Sequence, residues 1–358
     1  MTIILILEDY AMRKVSCFLL YCLAVIPYVL MAQVSTTDIG LAPMEFEQVA
    51  MSGWQFLKLP SNARTAALGG VVTSMSHGDA AAVFTNPASM MDVKNVDMAF
   101  TQMNWLVDIS YQSGAVVKNL GKWGNVGVSF IYLDYGDMPR TENRRLKSPT
   151  GEYTGQVQQI LDNGTYTAHD YAIGLSYARQ ITDRFQVGGT LKYVSEKLDD
   201  ASAGVVAVDI GTVFYTGFKT FRLAMTGRNF GPDAEFLQYD LRIGVPAVKV
   251  KMPMVFILGG AIDILEGGNG NPHLLTVAAE FLHPADGPEK LNVGAEYTFM
   301  NFATLRGGYR SNYDEEGLTA GAGLKLKPGD SWSVNFNYAY LDFGRLKSVN
   351  MFTVGFGF

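Results

Sequence analysis

The sequence predicts an all-β protein: a transmembrane antiparallel β-barrel of about 14 strands with an N-terminal plug or hatch segment. Three observations carry this. From about Val96 to Phe358, bulky apolar residues alternate with small or polar ones, strand after strand, with almost no helical periodicity. Short connections follow the even strands and the longest follow odd ones. The chain ends inside a strand, with Phe352, Val354, Phe356 and Phe358 on one face and Thr353, Gly355 and Gly357 on the other.

Composition fits that class. Gly is high at 38 residues and aromatics reach 12%, against 17% charged residues, a mix suited to close-packed strands with aromatic girdles. The net charge of −6 is spread without a block of like sign, so nothing points to nucleic acid as a partner.

Residues 1–32 read as a signal peptide. Met12-Arg13-Lys14 is a basic start, Val15 to Met31 is an apolar run interrupted by Ser16 and Pro27, and Ala32-Gln33 is a cleavage point, with Leu30 larger than usual two positions earlier. Glu8 and Asp9 do not suit a signal n-region, which places the true start at Met12. A membrane anchor is the alternative, but the run is short for a span and Pro27 interrupts it. Both cysteines, Cys17 and Cys22, lie inside this segment, and Cys22 follows bulky Tyr21, a poor lipoprotein context. The mature chain is therefore expected to lack disulfide, zinc and thiol chemistry. The rest contains no apolar run long enough for a membrane helix, so an exported membrane protein of this kind must be a closed barrel.

Residues 33–95 form the expected plug. Ala63-Arg64-Thr65-Ala66-Ala67-Leu68-Gly69-Gly70 reads as a small-residue helix or turn, and Asp79 to Phe84 leads into Asn86-Pro87-Ala88, where Asn-Pro favours a turn. The barrel occupies 96–358, with strands near 96–105, 108–118, 123–134, 166–180, 183–197, 204–216, 219–230, 252–265, 273–282, 288–300, 302–313, 317–327, 331–343 and 349–358. Each is long enough to cross the hydrocarbon layer, which takes about 9–11 tilted residues. The even count puts both barrel ends on the periplasmic side. Short turns such as Ile181-Thr182, Gly217-Phe218 and Asn301 then face the periplasm, and the longest connections, Tyr135 to Thr165 and Gly231 to Lys251, face outside. Leu237 to Ala247 is read as part of an outer loop, because counting it as a strand would break the parity. A soluble β-sandwich or propeller is the alternative; polar faces rich in Gly, Asn and Thr rather than Lys and Glu argue against it. The terminal Phe358 resembles the C-terminal signal that the barrel assembly machinery reads in bacterial outer-membrane barrels.

The plug residues carry a family resemblance. Phe56-Leu57-Lys58-Leu59-Pro60-Ser61-Asn62-Ala63-Arg64, Ala67-Leu68-Gly69-Gly70, Asp79-Ala80 and Asn86-Pro87-Ala88 resemble the opening of the PorV/PorQ family, FadL-like outer-membrane proteins of Bacteroidetes-type bacteria. Tyr132 to Thr141 is similar to that family's segment at the end of the third strand, and Asn-Pro-Ala also resembles the hatch of FadL-type transporters. The resemblance implies residence in a Gram-negative outer membrane, in contact with its lipid. It also implies a role in type IX secretion or surface attachment through contacts with secretion-system proteins or secreted cargo. A FadL-like transporter of small hydrophobic compounds is the other reading. It would need an apolar pocket near the plug and a kinked strand opposite.

No enzymatic constellation stands out. His77, His169, His273 and His283 are dispersed, and there is neither a Gly-x-Ser-x-Gly elbow nor a phosphate loop, so no catalytic residue, metal or cofactor is expected. By alternation Lys192, Arg222, Arg228, Arg306, Arg310 and Lys325 point inward, as do Asp209, Asp263, Glu280 and Glu296. They either line a polar pathway and hold a ligand's acidic head, or pair with one another and the plug. The second is favoured, since a charge facing lipid near the midplane costs about 2–4 kcal/mol and must face inward anyway. Arg140, Arg144, Arg145 and Lys147 make the longest outer loop basic, a contact for a partner or for lipopolysaccharide phosphates, or simply a solvated loop. Trp105, Trp123 and Trp332 are read as interfacial girdle.

Overall fold

The computed structural model describes residues 52–75, 78–160, 164–235, 249–268, 270–329 and 332–358. The signal segment 1–32, the plug residues before 52 and the ambiguous stretch 237–247 lie outside the described residues.

Fourteen strands close into one antiparallel barrel. They are β1 (Val96–Asn104), β2 (Ser110–Asn119), β3 (Asn125–Pro139), β4 (Thr165–Thr182), β5 (Phe185–Leu198), β6 (Ala201–Tyr215) and β7 (Arg222–Phe230). The second half comprises β8 (Val255–Leu265), β9 (His273–Pro284), β10 (Lys290–Phe299), β11 (Ala303–Ser311), β12 (Leu318–Leu326), β13 (Ser333–Asp342) and β14 (Ser348–Gly357). All fourteen predicted strands are present with ends shifted by a few residues. Closure is made by β1 on β14, in register from Asp97 opposite Gly357 to Asn104 opposite Asn350.

The alternation sorts side chains as lipid and lumen require. Leu175, Leu191, Ile210, Leu305 and Phe352 are each 55–64% exposed, while Ser176, Thr190, Asp209 and Thr353 on the opposite faces are at most 5% exposed. The outward apolar belt has no water-soluble partner, and every barrel strand is paired on both sides, so the backbone is satisfied as a lipid environment demands. Tight turns cluster at one rim. Met300 and Asn301, both at φ 51, make a turn of the mirror-image kind that matches strand twist. The other rim carries the described parts of the two longest connections, 140–160 with 164 and 231–235 with 249–254, and is the outer one by loop length.

Three features differ from the sequence reading. The β3–β4 connection contains a separate antiparallel hairpin, Glu142–Lys147 with Tyr153–Ile160, which the strand pattern did not mark. Inward positions near the outer rim are not small or polar: Met103, Tyr111, Leu133, Val194, Leu341 and Met351 are buried in an apolar cluster with Trp54, Phe56 and Leu57. Trp105 is not girdle. It meets Phe343 edge-on at 5.0 Å and packs against that cluster, because a residue just past the strand end can fold back over the mouth. Trp123 and Trp332 are exposed, at the opposite rim.

Candidate functional site

Residues 52–75 and 78–95 run through the lumen as short turns, three of them capped by side chains. Asn62 caps the five-residue helix Ala63–Ala67 by accepting from the Thr65 N–H at 2.8 Å. Asp79 caps Ala80–Phe84 and Asn86 caps Pro87–Asp92, where Pro87 occupies the first turn and loses no hydrogen bond there. None of these pieces is long enough to be stable alone, so their order comes from packing against the wall. Ala63, Ala66, Ala67, Leu68, Ala80, Ala82, Asn86, Ala88 and Met90 have no accessible surface.

The Asn86-Pro87-Ala88 element is a junction. Asn86 Oδ1 accepts from the Ala88 N–H at 3.1 Å, while Nδ2 donates to the Thr73 carbonyl at 2.8 Å and to the Thr212 carbonyl of β6 at 3.1 Å. One side chain thus joins two plug turns to the barrel. The wall accommodates it with glycine: a Cβ on Gly188 would lie 2.5 Å from the Ala88 nitrogen and 2.7 Å from the Pro87 oxygen, and one on Gly211 would collide with Asn86. Gly69 at φ 68 and Gly70 at φ 90 turn the chain after the helix, and Leu68-Gly69 lies against Gly294 and Gly308 in the same way.

Inward charges fall into separate nodes. Arg64 of the plug donates to Glu296 through Nε and Nη2, both at 2.8 Å, and approaches Asp79 at 3.8 Å. Arg306 donates to the same carboxylate at 2.6 Å and to Asn337 at 2.9 Å. Lys192 donates to Asp209 at 2.7 Å and to Asn229 at 2.6 Å, beside a bulge where Asn229, at φ 62, turns its N–H onto Asp209 at 2.6 Å. Arg222 forks onto Asp263 at 2.9 and 3.2 Å, and Arg310 pairs with Glu316. Glu280, fully buried, accepts from the Thr73 N–H at 2.5 Å. Arg228 stands apart: among the described residues it makes no ion pair, and its Nε, like those of Arg222 and Arg310, is buried with no protein partner. Phe358 donates its N–H to Val96 at the closing seam, with its ring exposed.

A latch that sequence reasoning did not find closes the outer end. Asp286, in the β9–β10 turn, accepts from Ser52, from Gln55 at 3.4 Å and from Lys58 at 2.5 Å. Pro284-Ala285-Asp286-Gly287 reads as an ordinary turn, so no sequence signal marked it. Burial pushes the Asp286 carboxyl up, but the Lys58, Ser52 and Gln55 hydrogen bonds outweigh it and hold the group below the ordinary aspartate range. A depressed carboxylate stabilises the folded state above its unfolded value, about pH 3.9, and that contribution is lost as pH falls through the folded value. Acidification below about pH 4 is therefore expected to loosen the latch. Fluorescence of buried Trp54, two residues from Ser52, should change over that range in the native protein and not in Asp286→Asn. An identical titration in both would refute the latch.

Beneath the latch lies a cavity of about 220 Å³ between the plug and β7–β11. Leu57, Leu59, Met254, Ile257 and Leu282 form its apolar side; Arg228, Asn292, Arg310 and Tyr313 form its polar side. Lys58, Asp286 and Glu316 place it at the outer mouth. Leu57, Leu59, Ser61 and Arg228 also line a space of about 30 Å³ deeper in the lumen, so these four separate the two.

No protein-family model matches the chain, and no curated protein sequence does. Solved structures share the fold. CymD, described as a monoaromatic hydrocarbon channel, has a TM-score of 0.55 at 11% identity, covering 83% of this chain and 97% of that one. The Ralstonia pickettii toluene transporter TbuX has a TM-score of 0.50 at 13% identity, covering 82% and 96%. A Pseudomonas aeruginosa FadL homologue has a TM-score of 0.50 at 10% identity, covering 83% and 97%. At such identities the likeness concerns the barrel architecture.

Proposed function

We propose that this chain is an outer-membrane channel that admits small, largely apolar molecules from outside into a plugged lumen. The cavity at the outer mouth carries the reading: apolar side chains from the plug and from β8–β9 face a space that ends on the plug itself. The named hydrocarbon channel and toluene transporter with the same architecture add support by analogy alone. No broken barrel strand accompanies the cavity among the described residues; the ladders shift register at Asp134–Asp137, Gln180–Thr182, Val208–Ile210 and Asp263–Leu265.

The test is uptake by intact Gram-negative cells. Radiolabelled toluene, a single substituted ring, matches the size of the cavity. Cells producing the protein should accumulate it several-fold faster than cells without it, and Ile257→Trp, which fills the cavity, should remove the difference. Equal rates with and without the protein would overturn the proposal. A second reading, secretion through protein contacts as the PorV/PorQ resemblance implies, draws on the exposed outer hairpin bearing Arg144, Arg145 and Lys147. Recovery of secretion-system proteins or cargo with the native barrel would favour it.

A further inference from the structure

The basic side chains of the lumen are not equivalent. Arg64 and Arg306 share Glu296, Lys192 holds Asp209, Arg222 holds Asp263 and Arg310 reaches Glu316. Arg228 makes no such pair among the described residues. The carboxylates around it are already engaged: Asp209 by Lys192 and the Asn229 N–H, and Glu280 by the Thr73 N–H. Its guanidinium lines the outer cavity at the boundary with the deeper space. A second donor on that wall, Arg310 Nε, is also buried without a protein partner. A guanidinium beside an apolar cavity is costly to desolvate unless something accepts its hydrogen bonds.

Accepting the lumen as a route for small molecules, we propose that Arg228 is its specificity residue and that the molecule it selects is a compact aromatic acid. The ring would lie against Leu57, Leu59, Met254 and Ile257, and the carboxylate would take the fork of Arg228. Size limits the apolar part. An apolar cavity of about 150 Å³ holds benzene, so about 220 Å³ holds one substituted ring and not an extended acyl chain. Charge limits the head. A single unpaired guanidinium matches one carboxylate in a bidentate pair, whereas an ammonium head would face Arg228 and find the cavity's carboxylates, Asp286 and Glu316, already paired with Lys58 and Arg310. A neutral ring fits the space but leaves the guanidinium unanswered.

Calorimetry on the full-length protein in detergent, with benzoate, benzamide and benzylamine, tests this. The three share a ring and differ in charge. Benzoate should bind about tenfold or more tighter than benzamide, and benzylamine most weakly. Arg228→Gln should reduce benzoate to the benzamide level and leave benzamide unchanged. Arg228→Lys, which keeps the charge and loses the fork, should fall between, and benzamide binding by each variant verifies its folding. The proposal is overturned if benzoate binds no tighter than benzamide, if Arg228→Gln keeps the preference, or if none of the three binds. Toluene uptake through the native protein would survive any of those results, so the channel reading stands or falls separately.

Discussion

Glu296→Ala is expected to destabilise the barrel by about 3–5 kcal/mol and to release the plug from its wall. Glu296 is 8% exposed and lies between Arg64 of the plug and Arg306 of β11, so its removal takes the nearest carboxylate from both guanidinium groups in the lumen. Arg64→Met should cost less, because Glu296 keeps Arg306 as a partner. Replacing all three with apolar residues of similar volume should recover most of the loss, since a buried ion cluster contributes little net stability compared with good packing. Urea titration of the heat-modifiable gel shift would read all three variants. A Glu296→Ala barrel within about 1 kcal/mol of the native one would show that water in the lumen carries the charges instead.

The second large effect is steric. Gly188→Ala is expected to cost about 1–3 kcal/mol, although it adds a single methyl group. That carbon would sit 2.5 Å from the Ala88 nitrogen and from the Pro87 carbonyl carbon, and backbone held by a proline cannot step aside. Either the wall bows outward or the Asn86 junction leaves its seat, with loss of the bonds to Thr73 and Thr212. Gly189→Ala is the control, because its added carbon meets nothing closer than the Asp209 carbonyl at 3.5 Å. Trypsin should cut the Gly188→Ala plug at Arg64, whose side chain the native fold largely buries, and spare that bond in both the native protein and the control. Equal resistance of all three would refute the close fit.

These contacts mark how much of the site was legible in advance. Arg306, Glu296, Asp209 and Lys192 point inward by alternation alone, since period 2 leaves a strand side chain no third direction. Asn86-Pro87-Ala88 was legible as a turn. That its amide would reach Thr212, or that Gly188 and Gly211 would receive it, was not, because those residues come together only when the sheet closes. Trp105 was misassigned for the same reason: its partner Phe343 belongs to β13's outer end, more than two hundred residues away. Arg228 looked like every other inward cation until its neighbours were seen to be engaged elsewhere.

The sequence by itself determined the architecture. Fourteen alternating segments and connections of two lengths leave one arrangement in which every strand is paired and every apolar face meets lipid. These are local properties, set by the pleat and by turn geometry. Only the tertiary structure decided what the lumen holds: which cations are paired, where glycine admits the plug, and that a space beside Arg228 is left open. Each of these depends on distances between residues far apart in the chain, and no local period records them.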